Sequence, residues 1–323
     1  MQSFLDPAIL FFVFGMAAGA LRSNLEIPPQ IARFLSLYLL MALGLKGGFA
    51  LAKSGLTAEV AVSLACALVL AGGIPLLGYS LLRRCLNGFD AAAIAATYGS
   101  VSAVTFITAV QYLDSHGIGY GGYMSAAMAL MESPAIVMAV VLASWTRRQA
   151  FVKPAEGIAP SMSLRHVLHE SLTDGTQLLL LGAMLIGVLT GAAGQAAMQP
   201  FTGDLFKGML AFFLLDMGLL AARNMGKLKG ASPWLLAYAI AGPLVHAGLA
   251  LLLAMAVGMS AGNTALLMVL AASASYIAVP AVVRQAIPEA NPSLYFGMSL
   301  GLTFPLNILF GIPLYVYTAS RYT

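Results

Sequence analysis

Two stretches of this chain put small hydroxyls in the middle of otherwise apolar sequence. The first, YGSVSAVTFITAV, holds Ser100, Ser102 and Thr105; the second, LAASASYIAVPAVVR, holds Ser273 and Ser275. Hydroxyls donate to anions and also accept, so with backbone carbonyls they can ligate sodium. Where a membrane helix is interrupted, the N-terminus of a half-helix aims its amides at an anion, and the unwound carbonyls face a cation. Ser102 and Ser275 are 173 positions apart, and the same offset sets Gln111 opposite Arg284. An offset of 171 pairs Glu132-Ser133-Pro134 with Thr303-Phe304-Pro305, and one of 174 pairs Gly44 with Gly218 and Lys53 with Lys227. The chain therefore reads as two copies of one membrane unit. Small polar residues at corresponding places in two halves point to a transporter's binding site. Ser102 and Ser275 are then expected close together near mid-membrane, with the backbone broken within a few residues of each. A plainer use stands beside this one. Serine and threonine in membrane helices also bond the carbonyl four residues back, or join neighbouring helices.

Two carboxylates fall inside apolar runs. Glu132 lies in AMALMESPAIV, and a charge at the centre of a span costs about 3 kcal/mol on insertion scales. Pro134 frees a backbone carbonyl one turn earlier, a second ligand for a cation. Glu132 is read as an ion-coupling group together with Ser102, Ser275 and Thr303; a protonated or paired structural Glu is the alternative. Asp216, in FFLLDMGLL, fits a structural hydrogen bond and proton coupling equally. Lys46 lies one turn from Ala42, the position matching Asp216. A Lys46–Asp216 pair is one reading, and snorkelling of Lys46 is the simpler one. His246 in PLVHAG reads as a hydrogen-bonded packing residue. Cys66 and Cys85 make neither a metal spacing nor a disulfide framework. No metal site other than one for Na+ is implied, and no cofactor.

The elements that must position these groups are membrane helices. The chain has 323 residues, 60% hydrophobic and 9% charged, too much apolar surface for a soluble domain. Ten apolar runs match a hydrocarbon core about 30 Å thick: 5–22, 28–50, 58–82, 88–113, 120–146, 171–195, 202–224, 232–257, 262–286 and 293–319. Backbone groups in lipid must bond internally, which makes these helices, and no barrel-like alternation is visible. The leader MQSFLDP has no Lys or Arg, so the first run is expected to be a span rather than a cleaved signal. With the N-terminus outside, 12 of the 16 Lys and Arg fall in or beside inside connections, as the positive-inside rule requires.

Five spans per half is odd, so the second unit must be inverted. The expected fold is all-α, ten transmembrane helices as two inverted five-helix repeats with broken helices crossing at mid-membrane. Residues 1–148 form the first repeat, 149–170 a cytoplasmic linker and 171–323 the second, with gate and core domains assembled from both. The linker holds two prolines and a candidate interfacial helix over 163–170. It reads as a connector or, more sharply, as the docking site of a cytoplasmic regulator. Both termini lie outside a plasma membrane, taken as a bacterial inner membrane.

Several stretches resemble the sodium-dependent bicarbonate transporter family: HVLHESLTDGTQLLLLGAMLIG, PLVHAG, and above all AASASYIAVPAVVRQAIPEANPSLYFGMSLGLTFPLNILFGIPL. The last shares the family's Ala-Ala-Ser opening, its Ile-Pro-x-Ala-Asn-Pro-Ser-x-Tyr turn and its Gly and Pro spacing. The resemblance covers nearly the whole chain. It implies a ten-helix fold of inverted repeats, a homotrimer, a PII-like regulator, and elevator-like symport of bicarbonate with sodium. It carries substrate and ion contacts to Ser102, Thr105, Ser273 and Ser275, and an Asp-x-Pro carboxylate to Glu132. This chain departs from the family at Ala274-Ser275-Tyr276, where Ser-Ser-Asp is common, at Ala278-Val279-Pro280-Ala281 for Ser-Gly-Pro-Pro, and at Ala103-Val104 for Gly-Ser. Tyr276 thus removes a carboxylate from the expected site. Weaker sodium coupling, a substitute carboxylate or a changed substrate all follow as options.

Other classes fit less well. Ser, His, Asp and Glu occur in spans without catalytic spacing, and there is no Gly-x-Ser-x-Gly and no His-Glu-x-x-His, so no enzyme is expected. The absence of a Walker loop argues against an ATP-driven pump. A channel would build its pore from identical subunits or filter loops. The scattered cations make no nucleic-acid surface. The substrate is a small anion, bicarbonate by resemblance; a proton-coupled carrier of another small anion and an uncoupled channel are the alternatives.

Overall fold

The computed structural model describes residues 6–55, 57–149, 175–228 and 231–323. The linker and its interfacial helix lie outside the described residues. Within them the chain is helical, with no strand. The first half runs α1 (Pro7–Ala20), α2 (Pro29–Ser54), α3 (Ala58–Leu82), α4 (Gly88–Gly99), α5 (Ala103–Ser115) and α6 (Met124–Gln149). The second runs α7 (Gly175–Gln199), α8 (Leu205–Met225), α9 (Pro233–Val257), α10 (Ala261–Ala272), α11 (Ala278–Ala286) and α12 (Pro292–Tyr322). Starts are written in the sequence: Pro7 opens α1 behind Asp6, whose carboxylate accepts from the Ala8 amide at 2.8 Å, the N-cap and first-position proline pattern.

Among the described residues seven helical stretches are long and apolar enough to cross a membrane, and α1 and α10 are shorter apolar helices. One of the seven, Gly175–Met225, is 51 residues long, about 75 Å if straight and over twice a bilayer core of about 30 Å. It doubles back. Gly191 takes φ 53° and ψ −137°, a conformation open to glycine, and Pro200–Asp204 widens into a π turn. The packing gives the directions. Gly44 lies against Leu180 and Ala183, and Gly48 against Met184 and Gly187, so α7 runs parallel to α2. Lys46 lies 4.4 Å over the Phe206 ring, while Leu39 and Leu40 meet the same cavity as Phe213, so α8 runs antiparallel to α2.

The α1–α8 pair repeats the α2–α7 arrangement. Gly15 faces Leu215 and Gly218, and Gly19 faces Leu219 and Ala222, again parallel. A Cβ on Gly15, Gly48 or Gly218 would collide with a facing carbonyl oxygen. Lipid gives no hydrophobic drive between helices, so contact comes from small residues that let backbones close in. These four helices form one body. Around the other, α3 packs on α4 and α6, α9 on α10, and α11 on α6. In α12 the ladder switches to π over Gly297–Thr303 and Asn307–Gly311. Pro305 and Pro313 follow each switch, and each ring crowds the carbonyl four residues back, at Gly301 and Leu309 inside the π turns.

Candidate anion site at the crossing of two broken helices

The first break separates α4 from α5. Gly99 ends α4 hard against Pro75 of α3, with no room for a Cβ. Ser100 is extended at φ −95°, ψ −178°, and Ser102 at φ −106°, ψ 110°. Ser102 then caps α5: its Oγ accepts from the Thr105 amide at 3.2 Å and from Thr105 Oγ1 at 2.9 Å. Serine is favoured at such a cap because it satisfies an amide the helix leaves over.

The second break separates α10 from α11. Ser273 is extended at φ −83°, ψ 164°. Its hydroxyl donates to the Leu270 carbonyl at 2.9 Å and accepts from the Ser102 amide at 2.9 Å. In return the Ser275 amide donates to the Thr97 carbonyl at 2.9 Å. Ser275 Oγ accepts from the Val279 amide at 3.3 Å. Asn307 of α12 donates to the Ala272 carbonyl at 2.8 Å and accepts from the Tyr315 hydroxyl at 3.0 Å, which secures the last turn of α10. Two chain segments 171 positions apart are thus bonded directly, break to break.

The arrangement favours donors. Ser102 and Ser275 use their oxygens as acceptors for capping; the Ser275 hydroxyl proton is left for a further acceptor, and the Ser102 hydroxyl also interacts with the Tyr276 hydroxyl. Ser100 Oγ is buried with no partner among the described residues. The first-turn amides of α5 and α11 add the partial positive charge of helix N-termini. Beside the crossing is a cavity of about 90 Å³ lined by Ser102, Ser275, Tyr276, Glu132 and Gln177, with apolar walls from α2, α5, α6 and α8. Drug-sized pockets run to about 300–1,000 Å³, so this one suits an anion of a few atoms. The Tyr276 hydroxyl donates to Met217 Sδ at 3.6 Å, and its ring meets Phe304 edge-on at 5.4 Å.

The expected site residues separate into three groups. Ser102, Ser275, Tyr276 and Glu132 share the cavity wall. Ser100, Thr105 and Ser273 are buried at the breaks immediately behind it. Thr303 lies elsewhere: its hydroxyl is 2.6 Å from the Tyr98 hydroxyl and donates to the Ala239 carbonyl at 2.8 Å, tying α4, α9 and α12 together. Lys46 is not paired with Asp216. It bonds Asp114 at 3.2 Å, because it lies beside Phe206, and Asp216 is ten residues, about 15 Å, further along α8. His246 is buried in α9, but its Nδ1 has no partner among the described residues. Cys66 and Cys85 are free thiols. No cluster of three or more His, Cys, Asp or Glu fit for a metal occurs among the described residues.

Sequence reasoning missed Gln177, which is 4% exposed and lines the cavity with Ser36 and Thr176. The signal was present: GTQLLLL places a polar pair at the mouth of an apolar run. It also missed a second polar knot. Asn263 donates to Glu59 at 3.0 Å and to the Tyr123 hydroxyl at 2.7 Å, and accepts from the Gly121 amide at 2.6 Å. That knot binds the starts of α3, α6 and α10.

A family model matches residues 7–320, essentially every helix described above. The chain belongs to the Na+-dependent bicarbonate transporter superfamily. No curated protein matches the chain. Membership makes this a multi-pass membrane protein of a transport family. Within that superfamily, the crossing of α4–α5 with α10–α11 is the place where this chain gathers buried hydroxyls, helix N-termini and a small cavity.

Proposed function

We propose that this chain imports bicarbonate together with sodium, and that the crossing of the two broken helices is the substrate site. The observation that carries the reading is the direct bonding of the two breaks, Ser102 amide to Ser273 hydroxyl and Ser275 amide to Thr97 carbonyl, beside a small cavity. Bicarbonate would take hydroxyl protons from Ser102 and Ser275 and amide protons from the starts of α5 and α11, with Ser100, Thr105, Ser273 and Tyr276 completing the wall. Glu132, with the oxygens of Ser102 and Ser275, would hold the sodium. The tie of Thr303 to Tyr98 and Ala239 leaves it a supporting part at most.

Inverted repeats are supported by direction. The second helices of the two halves, α2 and α8, run antiparallel, and each pairs in parallel with the first helix of the other half. Counting both limbs of Gly175–Met225 and the shorter α1 and α10 gives ten crossings. Transport would proceed by movement of the body bearing the crossing against the body α1, α2, α7 and α8, an elevator. The same reading makes the assembly a homotrimer in a bacterial inner membrane, with both termini outside and 149–170 available to a PII-like regulator. Tyr276 favours a second reading, a proton-coupled carrier of another small anion, since a neutral phenol attracts sodium weakly.

Initial rates of labelled bicarbonate uptake into proteoliposomes, across a sodium series at two pH values, separate these. The proposal expects saturable uptake that rises with sodium at both pH values. Uptake that follows pH and ignores sodium selects the second reading, and uptake indifferent to both ions makes the chain a uniporter or channel. Tyr276→Asp is expected to raise the apparent sodium affinity, and Glu132→Gln to cut the rate severely.

A further inference from the structure

We propose that Asp216, on α8, binds a second monovalent cation, beside the sodium assigned to Glu132, whose loading is linked to that of the anion. This rests on the transport reading above and assigns it a second carboxylate, on the opposite body from the serines. Asp216 is 6% exposed and lies at the middle of α8. Among the described residues it makes no ion pair and no hydrogen bond: the ion pairs are Lys46–Asp114 and Arg147–Glu289. An unneeded carboxylate inside a membrane span is costly, and those that persist mark ion and proton pathways. A structural hydrogen bond would have explained Asp216, and none is made among the described residues.

Its surroundings supply no paired countercharge among the described residues. Arg223, two turns on along α8, is in electrostatic range, but its guanidinium donates to the Leu25 carbonyl at 3.1 Å. Lys46 of α2 is bound to Asp114. Neither α1 nor the Gly297–Leu306 part of α12, both packed on α8, carries an ionisable side chain. Among the described residues, Tyr276 faces it from the other body, in electrostatic range of the carboxylate and bonded to Met217, the next residue. Tyr276 also lines the cavity at the crossing. Asp216 therefore lies one side chain behind the anion site. The π turn of α12, a distortion frequent at functional sites, packs on the same helix.

A carboxylate in that setting is stable when it carries a cation, and the two available chemistries are sodium and a proton. A cation on Asp216 would remove its repulsion of an anion held at Ser102 and Ser275. Loading of the one would then favour loading of the other, which is coupling. The position on α8 gives the charge to the body that does not carry the serines, so movement between the bodies changes what Asp216 faces.

The test compares wild type, Asp216→Asn and Asp216→Glu in two readouts. In proteoliposomes, bicarbonate uptake is measured across sodium and pH series. In detergent, bound 22Na+ and the melting temperature are measured over the same series. We expect Asp216→Asn to lose at least ten-fold of the cation-stimulated rate and Asp216→Glu to retain most of it. If sodium is the cation, Asp216→Asn also binds about half the 22Na+ of wild type and shows a smaller sodium-induced rise in melting temperature. If it is the proton, 22Na+ binding is unchanged and the difference between wild type and Asp216→Asn in the pH dependence of melting carries the signal. Asp216→Asn with wild-type responses to both ions in uptake and in melting overturns the inference. Should wild type fail to move bicarbonate at all, the transport reading fails, and the melting and 22Na+ comparisons still decide whether Asp216 holds a cation.

Discussion

The two breaks are equivalent in sequence and unequal in build. The first spans three residues, 100–102, and its following helix starts on a serine cap that satisfies an amide and a hydroxyl. The second spans five, 273–277, and α11 starts behind Ile277 without a side-chain cap; Ser275 reaches the Val279 amide at 3.3 Å. The first is clamped from behind by Pro75 on Gly99. The second is held through its neighbours, by Asn307 on the Ala272 carbonyl, and carries Tyr276 toward the other body. A tight break fixes donor geometry, and a looser one can adjust. On the proposed reading of the site, Ser102 would position the anion and the 273–277 segment would adapt to it.

The largest expected effect tests that division at Ser102. Ser102→Leu removes the cap and fills the cavity, and uptake should fall at least about 100-fold, since a 1 Å misplacement alone can cost that much. Membrane insertion, read by protease-protected yield, should be unchanged. Ser275→Leu should also stop uptake, but Ser275→Ala should cost less than Ser102→Ala, because the bond it loses is long. Equal losses in the two alanine variants would erase the asymmetry.

A smaller effect is expected on stability. Ser273→Ala leaves the Ser102 amide buried and unpaired, which costs about 1–3 kcal/mol. Melting in detergent should drop accordingly, and more than for Ser275→Ala. A Ser273→Ala protein as stable as wild type would show that the stitch between the breaks is not what holds them.

The smallest concerns the charged end of the body that bears the breaks. Glu289, in the loop after α11, receives two 3.0 Å bonds from Arg147 of α6. Burial works to raise its pKa, but the Arg147 bonds, a backbone bond and the Arg147 charge outweigh it and hold the carboxyl below its ordinary value. A depressed carboxylate stabilises the fold above its unfolded pKa, and that contribution fades as pH falls through the folded one. The pair is partly exposed, so it is worth less than about 1 kcal/mol. Glu289→Gln should melt slightly lower at pH 7, and the gap from wild type should close as pH falls below the usual carboxylate range. A gap that stays constant with pH would show that the ion pair contributes nothing.

Much of the candidate site, the two breaks above all, was legible because small polar residues stand out against apolar sequence. The Ser-x-Ser pairs located both breaks, since a serine whose side chain can cap an amide competes with the helix ladder. The offset of 174 between Gly44 and Gly218 was informative too, because each glycine makes the close approach for its own helix pair. What could not be read depends on direction and register in space. Lys46 is one turn from Ala42, the repeat match of Asp216, which made a Lys46–Asp216 pair one reading beside snorkelling, yet its partner Asp114 comes from the far end of α5. Thr303 matched Glu132 in frame but faces Tyr98. Gln177 was overlooked because a single amide at the edge of a span resembles an ordinary boundary residue.

The most direct test of the account is equilibrium binding of labelled bicarbonate to the purified protein, with and without sodium, for wild type, Ser102→Leu and Ser275→Leu. The account predicts saturable binding of one bicarbonate per chain in wild type, strengthened by sodium, and none in either variant. Wild-type binding in both variants would place the anion somewhere other than the crossing of the two broken helices.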